Sequence, residues 1–170
     1  MNGRPPVHAG GPRRTSARPK LSAGILAWRR GSNGLEVLLV HPGGPYWRNK
    51  DAGAWSIPKG EIEPSEEPEQ AARREFSEEL GPAASIGALQ ALGEIRQRGG
   101  KRVIAFCAEA DFDTASLASN SFEIEWPPRS GALKTFPEVD RAGWFGLEAA
   151  RSKMLLGQVE LIDRLEKLAK

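Results

Sequence analysis

Two apolar stretches near the start of the chain predict neighbouring strands. Residues 21–29 and 35–41 are short runs dominated by apolar side chains, bounded by polar or turn-forming residues. Residues 31–34 (Gly-Ser-Asn-Gly) lie between them and have the composition of a tight turn. We therefore expect two consecutive strands joined by this turn.

A short third strand is predicted at residues 55–57 (Trp-Ser-Ile). It follows a glycine-containing segment, residues 42–54, that is typical of a loop. Pro58 is expected to end the strand because proline has no backbone N–H for a sheet ladder. Lys59 and Gly60 are then predicted to open the next loop.

Residues 68–80 predict a helix. Pro68 suits the first helical position, and Gly81 stands where a helix commonly ends. A single apolar stripe recurs along the helix every fourth residue, at Ala72, Phe76 and Leu80. Acidic residues complement the positive N-terminal end of the helix dipole: Glu66, Glu67 and Glu69.

The segment after this helix predicts a β-hairpin. Residues 89–97 and 102–110 have the pattern of strands, and Gly99 and Gly100 suit the turn between them. Residues 111–140 show no clear periodicity. We expect this long segment to be irregular.

The C-terminal part predicts one more strand and two helices. The strand is expected at residues 143–146 and the helices at residues 147–153 and 158–168. The second helix has one apolar face, formed by Val159, Ile162, Leu165 and Leu168. Strands interleaved with helices indicate one α+β or α/β domain, which we place at residues 21–170.

Length and cysteine content narrow the class of protein. The 170 residues match the common size of one domain. Cys107 is the only cysteine, which excludes an intrachain disulfide and a multi-cysteine zinc site. Cys107 lies in an apolar run and is expected to be buried. With no signal-peptide pattern and no apolar stretch near the roughly 20 residues that span a bilayer, we expect a cytoplasmic protein without membrane association.

The N-terminal segment has a different composition from the rest. Residues 1–20 hold five of the basic residues and no acidic residue, and they are rich in Pro and Gly. Such a segment buries too little apolar surface to order itself, so we expect a disordered basic tail. A basic tail can bind RNA, but a solvated leader without a partner is the favoured interpretation.

Three carboxylates of the predicted helix carry the candidate chemistry. Glu75, Glu78 and Glu79 lie at spacings that place them on one helix face, where like charges repel. A divalent cation would offset this repulsion, and carboxylate oxygens suit Mg²⁺ or Mn²⁺. The same spacing is also compatible with a solvated acidic face.

The surrounding residues favour the metal site, because they resemble the signature of the Nudix (MutT-type) hydrolases. Seven spaced positions of that signature are present: Gly60, Glu66, Arg74, Glu75, Glu78, Glu79 and Gly81. Phe76 supplies the apolar position within it. The one departure is Pro82, where the family usually has Ile, Leu or Val. The resemblance covers roughly residues 21–168.

This resemblance implies a fold and a metal site. The fold would be an α+β, α/β/α sandwich with a mixed central sheet, a catalytic loop and helix at residues 60–81, and a C-terminal helix. The metal would be Mg²⁺, with Mn²⁺ as the alternative. Its ligands would be Glu75, Glu78, Glu79 and the backbone carbonyl of Gly60.

The resemblance also implies catalytic roles. Glu75 or Glu78 would activate the attacking water, and Arg74 would orient a metal-binding glutamate through a charge-assisted hydrogen bond. Glu66 would tie the loop to the helix. Many members of the family add a base or ligand from outside the signature. Glu138 is the first candidate here, followed by Glu123 and Glu125.

Residues near the signature suggest how a substrate is held. Lys59 lies in Trp-Ser-Ile-Pro-Lys-Gly, which resembles a motif of diadenosine polyphosphate hydrolases. Arg48 would add to the grip on phosphate, and Tyr46, Trp47 and Trp126 are candidates for stacking on a base. Further cations available for phosphate are Lys50, Arg96, Arg98, Lys101 and Arg102. His41, at a strand end, is expected to be structural.

The leading hypothesis is a metal-dependent hydrolase of a diphosphate linkage in a nucleoside diphosphate joined to a further group. A dinucleoside polyphosphate is the first substrate expected, and an oxidised-purine nucleoside triphosphate is the alternative. A small-molecule nucleotide is thus the predicted partner, and no oligomeric state is indicated. Two hypotheses from other classes are an RNA-directed protein and a catalytically silent Nudix-fold regulator.

Overall fold

The computed structural model describes residues 20–170. The predicted basic tail, residues 1–20, lies outside this range except for Lys20. The strands are β1 (Leu21–Gly31), β2 (Gly34–Pro42), β3 (Lys59–Glu61), β4 (Gln90–Arg96), β5 (Arg102–Glu109), β6 (Ser121–Glu125), β7 (Leu133–Pro137) and β8 (Val139–Gly146). The helices are α1 (Pro68–Leu80), α2 (Leu147–Lys153) and α3 (Glu160–Leu168), with 3₁₀ turns at Thr114–Ser116 and Leu156–Gln158. No helix in the described range is long and apolar enough to cross a membrane.

The central sheet is mixed and has six strands. Five of them follow the order β4-β5-β1-β2-β8, and β3 also pairs with β1. β1 runs parallel to β5, whereas the other pairs are antiparallel. β2 and β3 share one edge of β1, since Trp28 lies opposite Val37 and Ala23 lies opposite Gly60. This is the mixed sheet that the sequence predicts.

Helices cover both faces of this sheet. In β1, successive side chains alternate between the faces. Ile25 belongs to the apolar cluster that contains Phe76 of α1. Leu26 belongs to the opposite cluster, together with Ile162 and Leu165 of α3. The predicted α/β/α layering is therefore confirmed, and burial of these apolar side chains fixes α1 against the sheet.

Helix α1 has the predicted bounds and the predicted buried face. Its buried residues are Ala71, Ala72, Phe76 and Leu80. At its N-terminal end the Glu67 N–H donates to the side-chain oxygen of Gln70 at 3.1 Å. At its C-terminal end Gly81 has a φ of 100°, a region that favours glycine, and its N–H donates to the Ser77 carbonyl at 2.7 Å. These two contacts fix where α1 begins and ends.

Two local predictions around Pro58 are wrong. Residues 55–57 do not form a strand, because Trp55 and Ser56 make only isolated bridges to Met154 and Val40. Lys59 and Gly60, predicted as loop, belong to β3. Their strand conformation comes from pairing with β1, a partner distant along the chain that local pattern does not reveal.

The prediction of an irregular segment at residues 111–140 is also wrong. β6 and β7 form a separate antiparallel hairpin, with Phe122 opposite Phe136. β8 then begins at Val139 rather than at residue 143. The two hairpin strands are five residues each and bury little of their surface, so their alternation is too short to stand out in the sequence.

The C-terminal helices largely follow the prediction. α2 has the predicted bounds, whereas α3 begins at Glu160, because Gln158 belongs to the preceding 3₁₀ turn. Ile162 and Leu165 are buried as expected, but Leu168 is 45% exposed and lies off the buried face. Cys107 is buried, as predicted.

Candidate active site

Helix α1 carries the acidic face of the site. Its apolar stripe packs on the sheet, and Glu75, Glu78 and Glu79 lie along the edge of that stripe. Glu75 lies against Gly60 of β3, and Glu79 lines a cavity together with Val40 of β2. The loop between β3 and α1 is tied down by Glu66, whose carboxylate accepts the Glu63 N–H at 3.1 Å. This loop and helix therefore form one unit around the carboxylates.

Arg74 is the centre of an ion-pair network on this face. Its guanidinium binds both oxygens of Glu66, at 2.9 and 3.0 Å. It also donates to Glu75 at 2.7 Å, to Glu78 at 3.3 Å and to the carbonyl of Glu61 at 2.9 Å. The hydrogen bonds to Glu66 raise the pKa of Arg74 above its usual range, and Arg74 in turn lowers the pKa of Glu66. Arg74 thus offsets the repulsion that the helical spacing of Glu75 and Glu78 creates.

Gly60 brings β3 against the carboxylate of Glu75. A Cβ on Gly60 would lie 2.0 Å from the carboxyl carbon of Glu75, so a larger residue has no room while Glu75 keeps this position. Burial raises the pKa of Glu75; Arg74 opposes this rise, and the charges of Glu78 and Glu138 add to it. The backbone of β3 at Gly60 and the partly buried carboxylate of Glu75 therefore lie side by side.

Glu79 is a buried carboxylate without a full set of partners. Among the described residues, its Oε2 atom has no hydrogen-bond partner and is inaccessible to solvent. The pKa of Glu79 is raised to about 8, mainly by burial; the charges of Glu75 and Glu138 also raise it, whereas Lys59 opposes the rise. Leaving such an oxygen unpaired is costly, so the native protein is expected to supply a partner for it.

Lys59 faces this carboxylate from β3. Burial lowers the pKa of Lys59, and the positive charge of Lys101 acts in the same direction. The negative charges of Glu79 and Glu75 oppose that effect. The surroundings screen the charge of this ammonium less than bulk water would, so it is suited to attract a phosphate oxygen once a cation offsets the two carboxylates beside it.

These groups open into a cavity of about 190 Å³. Its polar wall contains Ser56, Lys59, Glu79 and Glu138, and its apolar wall consists of Val40, Pro42, Trp47, Ala54, Val139 and Leu155. Glu138 is held in place by its backbone, which donates to the carbonyl of Asn120 at 2.8 Å and accepts from the Gly43 N–H at 2.9 Å. The connection between β7 and β8 thereby brings a further carboxylate opposite α1.

The structure separates the predicted substrate residues into two groups. Lys59 and Trp47 line the cavity. Tyr46 is 61% exposed and does not line it; its ring lies 5.2 Å from that of Trp126, edge to face. Arg48 is also exposed and outside the cavity lining.

The alternative acids lie elsewhere. Glu123 and Glu125 are exposed on β6, outside the cavity lining, and Glu125 accepts the Gly131 N–H at 3.0 Å. The apolar residues Val40 and Leu155 were not singled out from the sequence, although both line the cavity. That wall forms where the Leu155 N–H donates to the Trp55 carbonyl at 2.8 Å and Val40 pairs with Ser56, which are contacts between segments distant along the chain.

His41 has the structural role that the sequence predicts. It is buried, with its Nδ1 atom 2.7 Å from Asp140 and its Nε2 atom 2.6 Å from the carbonyl of Lys50. Its ring also packs edge to face on Trp55 at 5.2 Å. His41 therefore fixes the loop at residues 42–54, which carries Trp47, to β8.

The donor set fits a hard divalent cation, although the side chains are not arranged around one. Among residues 20–170, no three acidic, His or Cys side chains converge as ready-made ligands, since Arg74 engages Glu75 and Glu78. The unpaired Oε2 of Glu79 and the close approach of Gly60 to Glu75 are nevertheless the features that a bound cation would explain. All the candidate donors are oxygens, which Mg²⁺ and Mn²⁺ prefer.

Comparison with known proteins identifies the family. The sequence model of the NUDIX domain matches residues 18–165, so the chain belongs to the Nudix family. The fold resembles the NUDIX domain of Shewanella oneidensis NrtR complexed with ADP ribose, at 17% identity and a TM-score of 0.63, over 94% of each chain. It also resembles a C. elegans Ap4A hydrolase in a binary complex, at 19% identity and a TM-score of 0.60, over 87% of this chain and 97% of the other. A MutT protein from Methanosarcina mazei Go1 is similar as well, at 20% identity and a TM-score of 0.55, over 91% and 99%.

Proposed function

We propose that the protein is a divalent-metal-dependent hydrolase that cleaves a diphosphate linkage in a nucleoside diphosphate joined to a further group. The observation that carries this proposal is the buried, unpaired Oε2 of Glu79 beside a cavity that also contains Lys59 and Glu138. A carboxylate of this kind is suited to bind a cation, and Lys59 is suited to bind the phosphates that accompany it.

The residues that would hold the cation are Glu75, Glu78, Glu79 and the backbone carbonyl of Gly60. Mg²⁺ is the ion proposed first, and Mn²⁺ is the alternative. When bound, such an ion polarises the phosphorus centre and lowers the pKa of a coordinated water. Arg74 would orient Glu75 and Glu78, as its hydrogen bonds at 2.7 and 3.3 Å allow.

The remaining steps belong to side chains of the cavity and of the adjoining face of α1. The Nζ atom of Lys59 binds a non-bridging phosphate oxygen and offsets charge that develops on the leaving phosphate. A carboxylate accepts the proton of the attacking water, and the candidates are Glu75, Glu78 and Glu138. Trp47 offers an apolar surface against which a base packs.

A dinucleoside polyphosphate is the substrate we propose first. Lys59 directly precedes Gly60, so a cation lies next to the proposed metal site where a phosphate chain would run. The deciding experiment incubates the protein and Mg²⁺ with diadenosine tetraphosphate, oxidised and normal dGTP, ADP-ribose and capped RNA. Products are resolved by anion exchange, with Glu79→Gln as the inactive variant and the exposed Glu69→Gln as its matched control.

Each result has a defined meaning. Cleavage of diadenosine tetraphosphate that is lost in Glu79→Gln and kept in Glu69→Gln supports the proposal. A preference for oxidised dGTP would support the metal-dependent hydrolysis but would make an oxidised-purine nucleoside triphosphate the substrate in place of a dinucleoside polyphosphate. Hydrolysis that survives Glu79→Gln contradicts the site assignment, and no turnover of any compound favours the silent regulator.

A further inference from the structure

A second, larger cavity adjoins the proposed active site. It has a volume of about 600 Å³ and is lined by Gln97, Arg98, Lys101, Leu155, Leu156 and Gly157. Leu155 lines both this cavity and the one that holds Lys59 and Glu79. The two cavities therefore meet at one side chain, between the β4–β5 turn and the segment that follows α2.

A buried glutamine joins the walls of the two cavities. The side-chain oxygen of Gln158 accepts the Ile57 N–H at 3.0 Å, and its amide nitrogen donates to the Ser56 hydroxyl at 3.0 Å. The same nitrogen lies 3.5 Å from the side-chain oxygen of Gln97. Gln158 is fully buried, so the wall shared by the cavities is a fixed part of the fold.

The β4–β5 turn holds two cations at the second cavity. The Gln97 N–H donates to the Lys101 carbonyl at 2.7 Å, and the Gly100 N–H donates to the Gln97 carbonyl at 3.1 Å. This closed turn presents Arg98 and Lys101. Neither forms an ion pair within residues 20–170, whereas the neighbouring Arg102 is paired with Glu94.

The cations of the two cavities are within electrostatic reach of each other. Lys59 lines the first cavity and Lys101 lines the second, and the two cavities share the side chain of Leu155. Like charges that share a concave surface create a positive potential that attracts an extended polyanion. Leu156, which is 88% exposed, adds an apolar surface at the rim of the second cavity.

We propose that Arg98 and Lys101 form a second anion subsite, which binds the phosphates distal to the bond that is cleaved. The chain would run from Lys59 past Leu155 to the β4–β5 turn, and Leu156 would contact the second nucleoside. This inference rests on the proposed function, because it assigns one substrate chain to both cavities. It makes Arg98 and Lys101 determinants of chain-length specificity.

The experiment compares Arg98→Ala/Lys101→Ala with Lys134→Ala/Lys167→Ala, which removes the same charge from exposed positions outside both cavities. We measure kcat/KM with Mg²⁺ for diadenosine hexaphosphate and for ADP-ribose. The Arg98 and Lys101 variant is expected to lose about tenfold or more on the long chain and less than about twofold on the short one, since each charged contact contributes on the order of a factor of ten. The control pair is expected to change neither value beyond about twofold.

A binding measurement without catalysis accompanies the kinetics. Inorganic tripolyphosphate is titrated calorimetrically into each metal-free protein, and the Arg98 and Lys101 variant should bind it at least about tenfold more weakly than the control pair. Equal losses on long and short substrates, or unchanged tripolyphosphate affinity, overturn the subsite. Wild-type turnover of short chains only also overturns it. In a further outcome, the wild type turns over neither substrate while its tripolyphosphate binding still depends on Arg98 and Lys101. That result would contradict the proposed function and keep the anion site.

Discussion

Gly60 lies directly against the carboxylate of Glu75, and this relationship joins β3 to the acidic face of α1. A Cβ at position 60 would meet the Glu75 carboxyl carbon at 2.0 Å and its oxygens at 2.3 Å. These atoms are the far end of a flexible side chain, so they would move rather than the backbone. The backbone at Gly60 itself is extended, paired with Ala23, and compatible with alanine.

Gly60→Ala is therefore expected to damage the site more than the fold. The displaced Glu75 carboxylate should lower kcat/KM by at least about tenfold, because small misplacements of catalytic groups are costly. The melting temperature of the metal-free protein should stay within a few degrees of the wild type. Steady-state kinetics and differential scanning calorimetry measure the two effects.

Two other glycines provide the matched controls. In Gly24→Ala the new Cβ would meet the Pro58 carbonyl and the Lys59 Cβ at 2.7 Å, so we expect a clear loss of stability. Gly87→Ala has open space around it and should change neither property. A Gly60→Ala protein that is as unstable as Gly24→Ala would show that Gly60 serves the fold instead.

The sequence predicts the parts of the fold that depend on local pattern. The apolar stripe at Phe76 and Leu80, together with Pro68 and Gly81, predicts α1 with its observed bounds. β1 and β2 are predicted to within about two residues at each end for the same reason. The spacing of the glutamates on α1 is a helix property, so their shared face also follows from sequence.

Features that depend on contacts between distant segments cannot be predicted from local sequence pattern. β3 forms because Gly60 pairs with Ala23, and the cavity wall forms because Leu155 hydrogen-bonds to Trp55 while Val40 pairs with Ser56. The hairpin of β6 and β7 buries too little to leave a strong pattern. Glu138 is a candidate because many Nudix proteins add a base or ligand from outside the signature, and it lines the cavity in the structure.

Glu79→Gln is expected to stabilise the metal-free protein. The pKa of Glu79 is raised from 4.5 to about 8, so the folded state holds this proton more tightly than the unfolded state does. The stability that this bound proton contributes to the folded state is fully present below about pH 4.5 and is lost as the pH rises through about 8. A neutral amide at this position avoids burying a charge, so the free energy of unfolding should rise by about 1–3 kcal/mol. Each kcal/mol should raise the melting temperature by roughly 2–4 °C.

The measurement is thermal unfolding in EDTA and in Mg²⁺, at an acidic and at an alkaline pH. The stabilising effect of Glu79→Gln should be larger at the alkaline pH, and Mg²⁺ should stabilise the wild type but not the variant. Glu69→Gln, on the exposed side of α1, should respond to Mg²⁺ as the wild type does. A Mg²⁺ response that persists in Glu79→Gln would remove Glu79 from the ligand set.

Arg74→Lys is expected to weaken metal binding while the fold persists. A lysine ammonium cannot reproduce the paired hydrogen bonds to Glu66 and still reach Glu75, since it lacks the planar fork of arginine. Loss of a group that orients ligands typically costs about 10–100-fold in metal affinity or activity. Because Arg74 is partly exposed, the loss in unfolding free energy should not exceed about 1 kcal/mol.

The neighbouring Arg73 supplies the control for this substitution. It pairs with Glu69 and the carbonyl of Gly87, outside the network of Arg74. Calorimetric Mn²⁺ titration should show weaker binding for Arg74→Lys and unchanged binding for Arg73→Lys. Equal affinities in the two variants would mean that Arg74 does not position the carboxylates.

Glu138→Gln separates proton transfer from metal binding. Glu138 lies in the cavity but comes from the β7–β8 connection rather than from α1, so its loss should leave the four proposed cation donors in place. If Glu138 accepts the water proton, kcat should fall by about 10²–10⁴-fold, with KM and Mn²⁺ affinity little changed. Glu123→Gln, on the exposed strand β6, should behave as the wild type. A fall in Mn²⁺ affinity that parallels the fall in kcat would instead make Glu138 a metal ligand, and an unchanged kcat would assign the proton to Glu75 or Glu78.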